Sequence, residues 1–147
     1  MEDFRDFLAA LVAAQVRFLI VGAHALGVHG VPRATVDLDV WIESSPQNAK
    51  RVWAALTAFG APLETLQITE SDFSRPDVVV QLGLPPYRID ILTGVSGLTF
   101  AEAFEDRVEN HFAGVRVPFI GRAALIRNKR ASGRTKDQAD LEALGET

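Results

Sequence analysis

Asp37-Leu38-Asp39 sets two carboxylates two residues apart in an alternating stretch, so both project from one face of a strand. Like charges this close repel and need an offsetting partner. A hard divalent cation supplies one, and Mg²⁺ held by carboxylates together with substrate phosphates is the usual arrangement. The plain alternative is an exposed strand whose acids meet only water. Asp90, in Arg88-Ile89-Asp90-Ile91-Leu92, shares a face with Arg88 in a second alternating stretch. If that strand lies beside the first, three carboxylates converge; the alternative for Asp90 is a salt bridge with Arg88.

Other residues could complete a phosphate site. Arg17–Val21 reads as a short buried strand running into Gly22-Ala23 and then a helix. Backbone N–H groups and the helix dipole at such a turn favour a phosphate, although glycine after a strand also marks a simple tight turn. Arg33 and Thr35, just before the acids, add a cation and a hydroxyl. Between Arg122 and Lys136 lie six basic residues and no acid, either an anion site or a solvated helix face. His24 and His29 are expected to be packed or exposed rather than ligands. Trp41, on the acidic face, either stacks a base or covers the sheet against a helix. Tyr87 lines a nucleotide pocket or packs on its strand.

The elements that position these groups follow from periodicity. Phe4, Phe7, Leu8, Leu11 and Val12 mark an amphipathic helix with Asp3 as its N-cap. After the 17–21 strand, residues 23–30 form a short helix closed by Gly30. Val36, Leu38, Val40 and Ile42 then alternate with Asp37, Asp39, Trp41 and Glu43. Ser45-Pro46 opens a helix that stops at Gly60. Residues 61–77 read as a loop with a helical turn. Strands at 78–82 and 87–92 flank a turn at Gly83, Pro85 and Pro86. Thr99 and Glu102 form a capping box for a helix to about Arg107. A strand pair over 108–120 turns at Gly114, and helices at 121–131 and from Thr135, with Gln138 as its capping partner, end the chain.

The 147 residues, 48% hydrophobic and 23% charged, match one globular domain with a sizeable core, spanning 1–147 with the core at about 17–120 and C-terminal helices at about 121–144. A net charge of −4 argues against a general nucleic-acid coat. Without cysteine there is neither a disulfide framework nor a thiolate metal site. No apolar run nears the roughly 20 residues that cross a bilayer. The acidic start MEDFRDF is unlike a signal peptide, so the expectation is a soluble, cytoplasmic protein with no membrane partner. Strands mixed with helices in this order indicate an α/β or α+β fold.

Val21-Gly22-Ala23, Pro32-Arg33-Ala34-Thr35, Asp37-Leu38-Asp39 and Arg88-Ile89-Asp90 together resemble the polymerase-β-type nucleotidyltransferase superfamily. Lys129-Arg130, then Arg134, Lys136, Asp137, Asp140 and Leu141, are similar to the last motif of its minimal bacterial branch, which includes the AbiEii/AbiGii-type toxins. The resemblance spans about residues 17–144. One departure is Ala23, where the family has Gly or Ser.

The resemblance implies a nucleotidyltransferase fold, a mixed sheet flanked by helices with a C-terminal helical pair. It implies attack by an acceptor hydroxyl on the α-phosphorus of an NTP, with pyrophosphate leaving. Asp37, Asp39 and Asp90 would hold Mg²⁺ or Mn²⁺, and Gly22 and Ala23 would cradle the triphosphate. Lys129 would contact phosphate, with Arg33 and Thr35 in support and Asp137 at the nucleotide or structural in the last helix. Acceptors would be tRNA, other RNA or a protein. A toxin-like role with an antitoxin partner, or a homodimer, also follows. The competing readings are an inactive nucleotide-binding or regulatory module of the same fold, and a structural interaction domain.

Overall fold

The structure is a computed structural model and describes residues 2–83 and 87–146. Helix α1 (Glu2–Ala13) leads into strand β1 (Phe18–Val21), helix α2 (Ala23–Val28) and strand β2 (Leu38–Ile42). Helix α3 (Pro46–Phe59) and a 3₁₀ turn at Glu70–Ser74 precede strands β3 (Val79–Leu82) and β4 (Ile89–Leu92). Helix α4 (Phe100–Glu105), the hairpin β5 (Val108–Phe112) and β6 (Val115–Phe119), and helices α5 (Arg122–Ser132) and α6 (Thr135–Ala143) follow. The strands make one sheet in the order β3-β4-β2-β1-β6-β5. Pairing is mixed: β2 runs parallel to β4 and β1 to β6, while the remaining neighbours are antiparallel. The fold is mixed α/β, a sheet flanked by helices with a C-terminal helical pair, as the sequence leads one to expect.

Central strands explain the continuous apolar runs. β1 is buried at all four positions, and β2 at every position except Asp39, because both sheet faces are covered. Trp41 stands edge-on to Phe100 of α4, while Phe7 of α1 meets Phe59 of α3. Local rules set the helix ends. The Ser45 hydroxyl accepts from the Asn48 amide at 3.1 Å, Pro46 opens α3, and Gly60 closes it at φ 90°. The β5–β6 turn places Ala113 and Gly114 at φ 52° and 84°, the two left-handed residues that match a hairpin's twist.

Several expectations need correction. Asp3 lies inside α1 rather than capping it, and Val12 is exposed on its outer face. β2 begins at Leu38, so Asp37 stands just ahead of the strand and Val36 is exposed. β4 likewise starts at Ile89, after Tyr87 and Arg88. The carboxylate that caps α6 is Asp137, accepting from the Arg134 amide at 3.2 Å, and the expected Thr135–Gln138 box does not form. The turn residues Pro85 and Pro86 lie outside the described residues. Among the described residues no helix is long and apolar enough to cross a membrane.

Candidate active site

Register gathers the acids at one end of the sheet. Val21 pairs with Asp39 across β1–β2, and Asp39 pairs with Asp90 across β2–β4. Because β2 and β4 are parallel, Asp37 and Arg88, which precede them, share that end, and the β1–α2 turn reaches it from β1. Gly22 in that turn sits at φ 72°, and a Cβ there would collide with the Asp39 carboxylate. The backbone can approach Asp39 this closely only at glycine.

Arg88 lies between two of the acids. Its Nε donates to Asp90 at 3.0 Å and its Nη2 to Asp37 at 3.3 Å, so the salt bridge weighed for Asp90 is formed. Among the described residues Asp39 has no such partner. Burial, then the charges of Asp90 and Asp37, push its carboxyl up to about 6, with Lys136 and Arg88 pulling the other way.

A cavity of about 940 Å³ opens over this end, between the sheet and helices α5 and α6. Gly22, Ala23, Asp37 and Asp39 line one wall, with Arg33 and Thr35 beside them. Thr35 holds the chain in place, its hydroxyl accepting from the Asp37 amide at 3.2 Å. Lys129 of α5, Arg134 of the turn after it and Lys136 of α6 also line the cavity. Asp90, nearly buried, lies behind the lining.

Lys129 is engaged by two carboxylates at the edge of this cavity. It is 6% exposed, and its ammonium sits 2.8 Å from Asp140 and 3.4 Å from Asp137. Arg33 pairs with Asp140 at 2.5 Å, and Arg134 with Asp137 at 2.9 Å. Asp137, 1% exposed and outside the cavity lining, also accepts from Ser132. Burial opposes its charge, but bonds from Arg134 and Ser132 outweigh this and hold its carboxyl far below the ordinary range. Asp140 is lowered as well: burial works against it, while Lys129 and Arg33 prevail. The residues expected at the phosphate and the nucleotide, Lys129 and Asp137, are thus paired with each other, Lys129 still among the residues that line the cavity. Both are committed to a buried ion network that ties α5 to α6.

The remaining aromatic and histidine residues take structural places. Trp41 is 1% exposed and covers the sheet, which leaves it no face for a base. Tyr87 is exposed and borders a second cavity, between α1 and the end of α3, rather than this one. His24 packs against Phe4 and Phe112, and burial lowers its pKa. His29 Nε2 donates to the Ile120 carbonyl at 2.7 Å. In the sequence Lys136 belongs to the basic run and to the last motif of the resemblance, with no role of its own; its exposure in the cavity lining sets it apart.

The donors suit a hard cation, being carboxylate oxygens only, and Asp39 stands beside two further acids without a paired cation of its own. Among the described residues no group of three or more metal-type side chains is arranged to hold an ion, since Arg88 holds Asp37 and Asp90. Two carboxylates with substrate phosphates are nevertheless a common Mg²⁺ ligand set. Asp37 and Asp39, both on the cavity wall, fit that smaller requirement.

A scan against protein-family models and a search of curated proteins find no match. Among solved structures the chain is similar to the putative nucleotidyltransferase TM1012 from Thermotoga maritima, with a TM-score of 0.64 and 13% identity, over 95% of this chain and 88% of that one. At that identity the likeness is one of fold: the six-stranded sheet and its flanking helices form a nucleotidyltransferase-type fold.

Proposed function

We propose that the chain is a Mg²⁺-dependent nucleotidyltransferase that moves an NMP from an NTP to an acceptor hydroxyl. The observation that carries this reading is the pairing of Asp39 with Asp90 beside the Gly22 turn, next to a cavity lined by both acidic and basic side chains. The likeness in fold to a structure described as a putative nucleotidyltransferase supports it.

In the reaction the acceptor oxygen bonds to the α-phosphorus while the bond from that phosphorus to the α–β bridging oxygen breaks. Pyrophosphate leaves with the bonding pair, and the hydroxyl proton passes to a carboxylate, the role that the family resemblance gives to Asp90. Bound Mg²⁺, held by Asp37 and Asp39, would neutralise phosphate charge, which is the main demand of such a transfer. Gly22 and Ala23 present backbone to the phosphates; Ala23 keeps the approach close but brings no hydroxyl. Arg88, now bridged to Asp37, would have to give up that carboxylate to such a cation. The acceptor is a hydroxyl of RNA, tRNA or a protein, and a toxin-like role with an antitoxin partner belongs to the same reading.

Incubation with α-labelled NTPs, Mg²⁺ and a mixed RNA and protein acceptor pool tests it: label should transfer, and Asp39→Asn should abolish transfer. The Arg88 bridge favours a second reading, a nucleotide-binding module without turnover. That reading predicts NTP binding with no transfer to any acceptor in the pool.

A further inference from the structure

Four cations line the cavity that holds the acids: Arg33, Lys129, Arg134 and Lys136. Three are already engaged by carboxylates, Arg33 and Lys129 on Asp140 and Arg134 on Asp137. Lys136 is exposed and has no ion-pair partner among the described residues. It is the second residue of α6, where the helix dipole disfavours a positive charge. The neighbouring network, three cations on two aspartates, repels it further. Among the described residues no salt bridge rewards a lysine at this place. An anion in the cavity would.

We propose that Lys136 is the side chain that grips the phosphate chain of the nucleotide, facing the Gly22 turn across the cavity, while Lys129 serves only to hold α5 on α6. This rests on the nucleotide reading above. A bound polyphosphate would lie in the cavity that Asp37, Asp39 and Lys136 line together. A flexible, strongly hydrated ammonium suits phosphate as a point charge.

Calorimetric titration with Mg²⁺·ATP and, separately, with Mg²⁺·tripolyphosphate tests this in the unaltered chain, Lys136→Ala, Lys136→Arg and Lys129→Met. Lys136→Ala should weaken both ligands by about tenfold or more, the usual loss for one charge-assisted contact. Lys136→Arg should recover most of that affinity. The melting temperature of Lys136→Ala should stay level or rise, whereas that of Lys129→Met should fall. Equal affinity of Lys136→Ala and the unaltered chain for both ligands would overturn the assignment and leave the nucleotide reading standing. If the unaltered chain binds neither ligand, the nucleotide reading falls and the role of Lys136 falls with it.

Discussion

Asp39 is central to the proposed reaction, and its environment works against its own charge. Below about pH 4 the side chain is protonated in both folded and unfolded chains and adds nothing to the balance. Between about pH 4 and its folded value of about 6, the unfolded chain releases the proton first, so stability falls as pH rises. Above that window the penalty is complete. In metal-free buffer at pH 7, Asp39→Asn should therefore stabilise the protein by about 1–2 kcal/mol, a figure discounted for partial exposure. The gain should vanish near pH 4, as urea unfolding at the two pH values would reveal. Gly22→Ala makes the opposite case. Its Cβ meets the Asp39 carboxylate and its φ is left-handed, so a loss of about 2 kcal/mol or more is expected in the same assay.

Elements were legible where their signals are local. α3 is written between Ser45-Pro46 and Gly60, α4 opens on the Thr99–Glu102 box, and the hairpin turns at Gly114. Contacts that join distant elements were not. Asn48 accepts from the Arg17 amide and donates to the Arg17 and Glu43 carbonyls, clipping β1 to the end of β2. Asp106 caps α5 through the Ala124 amide at 3.1 Å, a role no spacing announces. Asn48→Ala should cost about 2–3 kcal/mol, because buried backbone groups lose their partner. The α5–α6 network is the larger tie: Lys129→Met leaves two buried carboxylates short of a cation and should cost about 3–5 kcal/mol. Asp137 and Asp140 are held below the usual carboxylate range. Their contribution is full above about pH 4 and is lost as pH falls further, so acid unfolding of Asp140→Asn should show a shallower pH dependence than that of the unaltered chain.

At the scale of the molecule, strand order decides what the acids mean. Alternation placed Asp37 and Asp39 together, but only the parallel register of β2 and β4 brings Asp90 beside Asp39, and no sequence pattern fixes that order. The same holds for the basic segment, where burial separates Lys129 from Lys136 according to which helix face α6 covers. Sheet and helices thus bring acidic and basic side chains of a chain of net charge −4 into the lining of one cavity. The direct test is the melting temperature of the unaltered chain and Asp39→Asn with each of ATP, CTP, GTP and UTP, with and without Mg²⁺. With ligand near a hundred times its Kd, at least one NTP should raise melting of the unaltered chain by roughly 5–10 °C, and only with Mg²⁺. Asp39→Asn should lose that rise. A chain whose melting no NTP shifts with Mg²⁺ or Mn²⁺, or an Asp39→Asn variant that shifts as much as the unaltered one, would contradict the account.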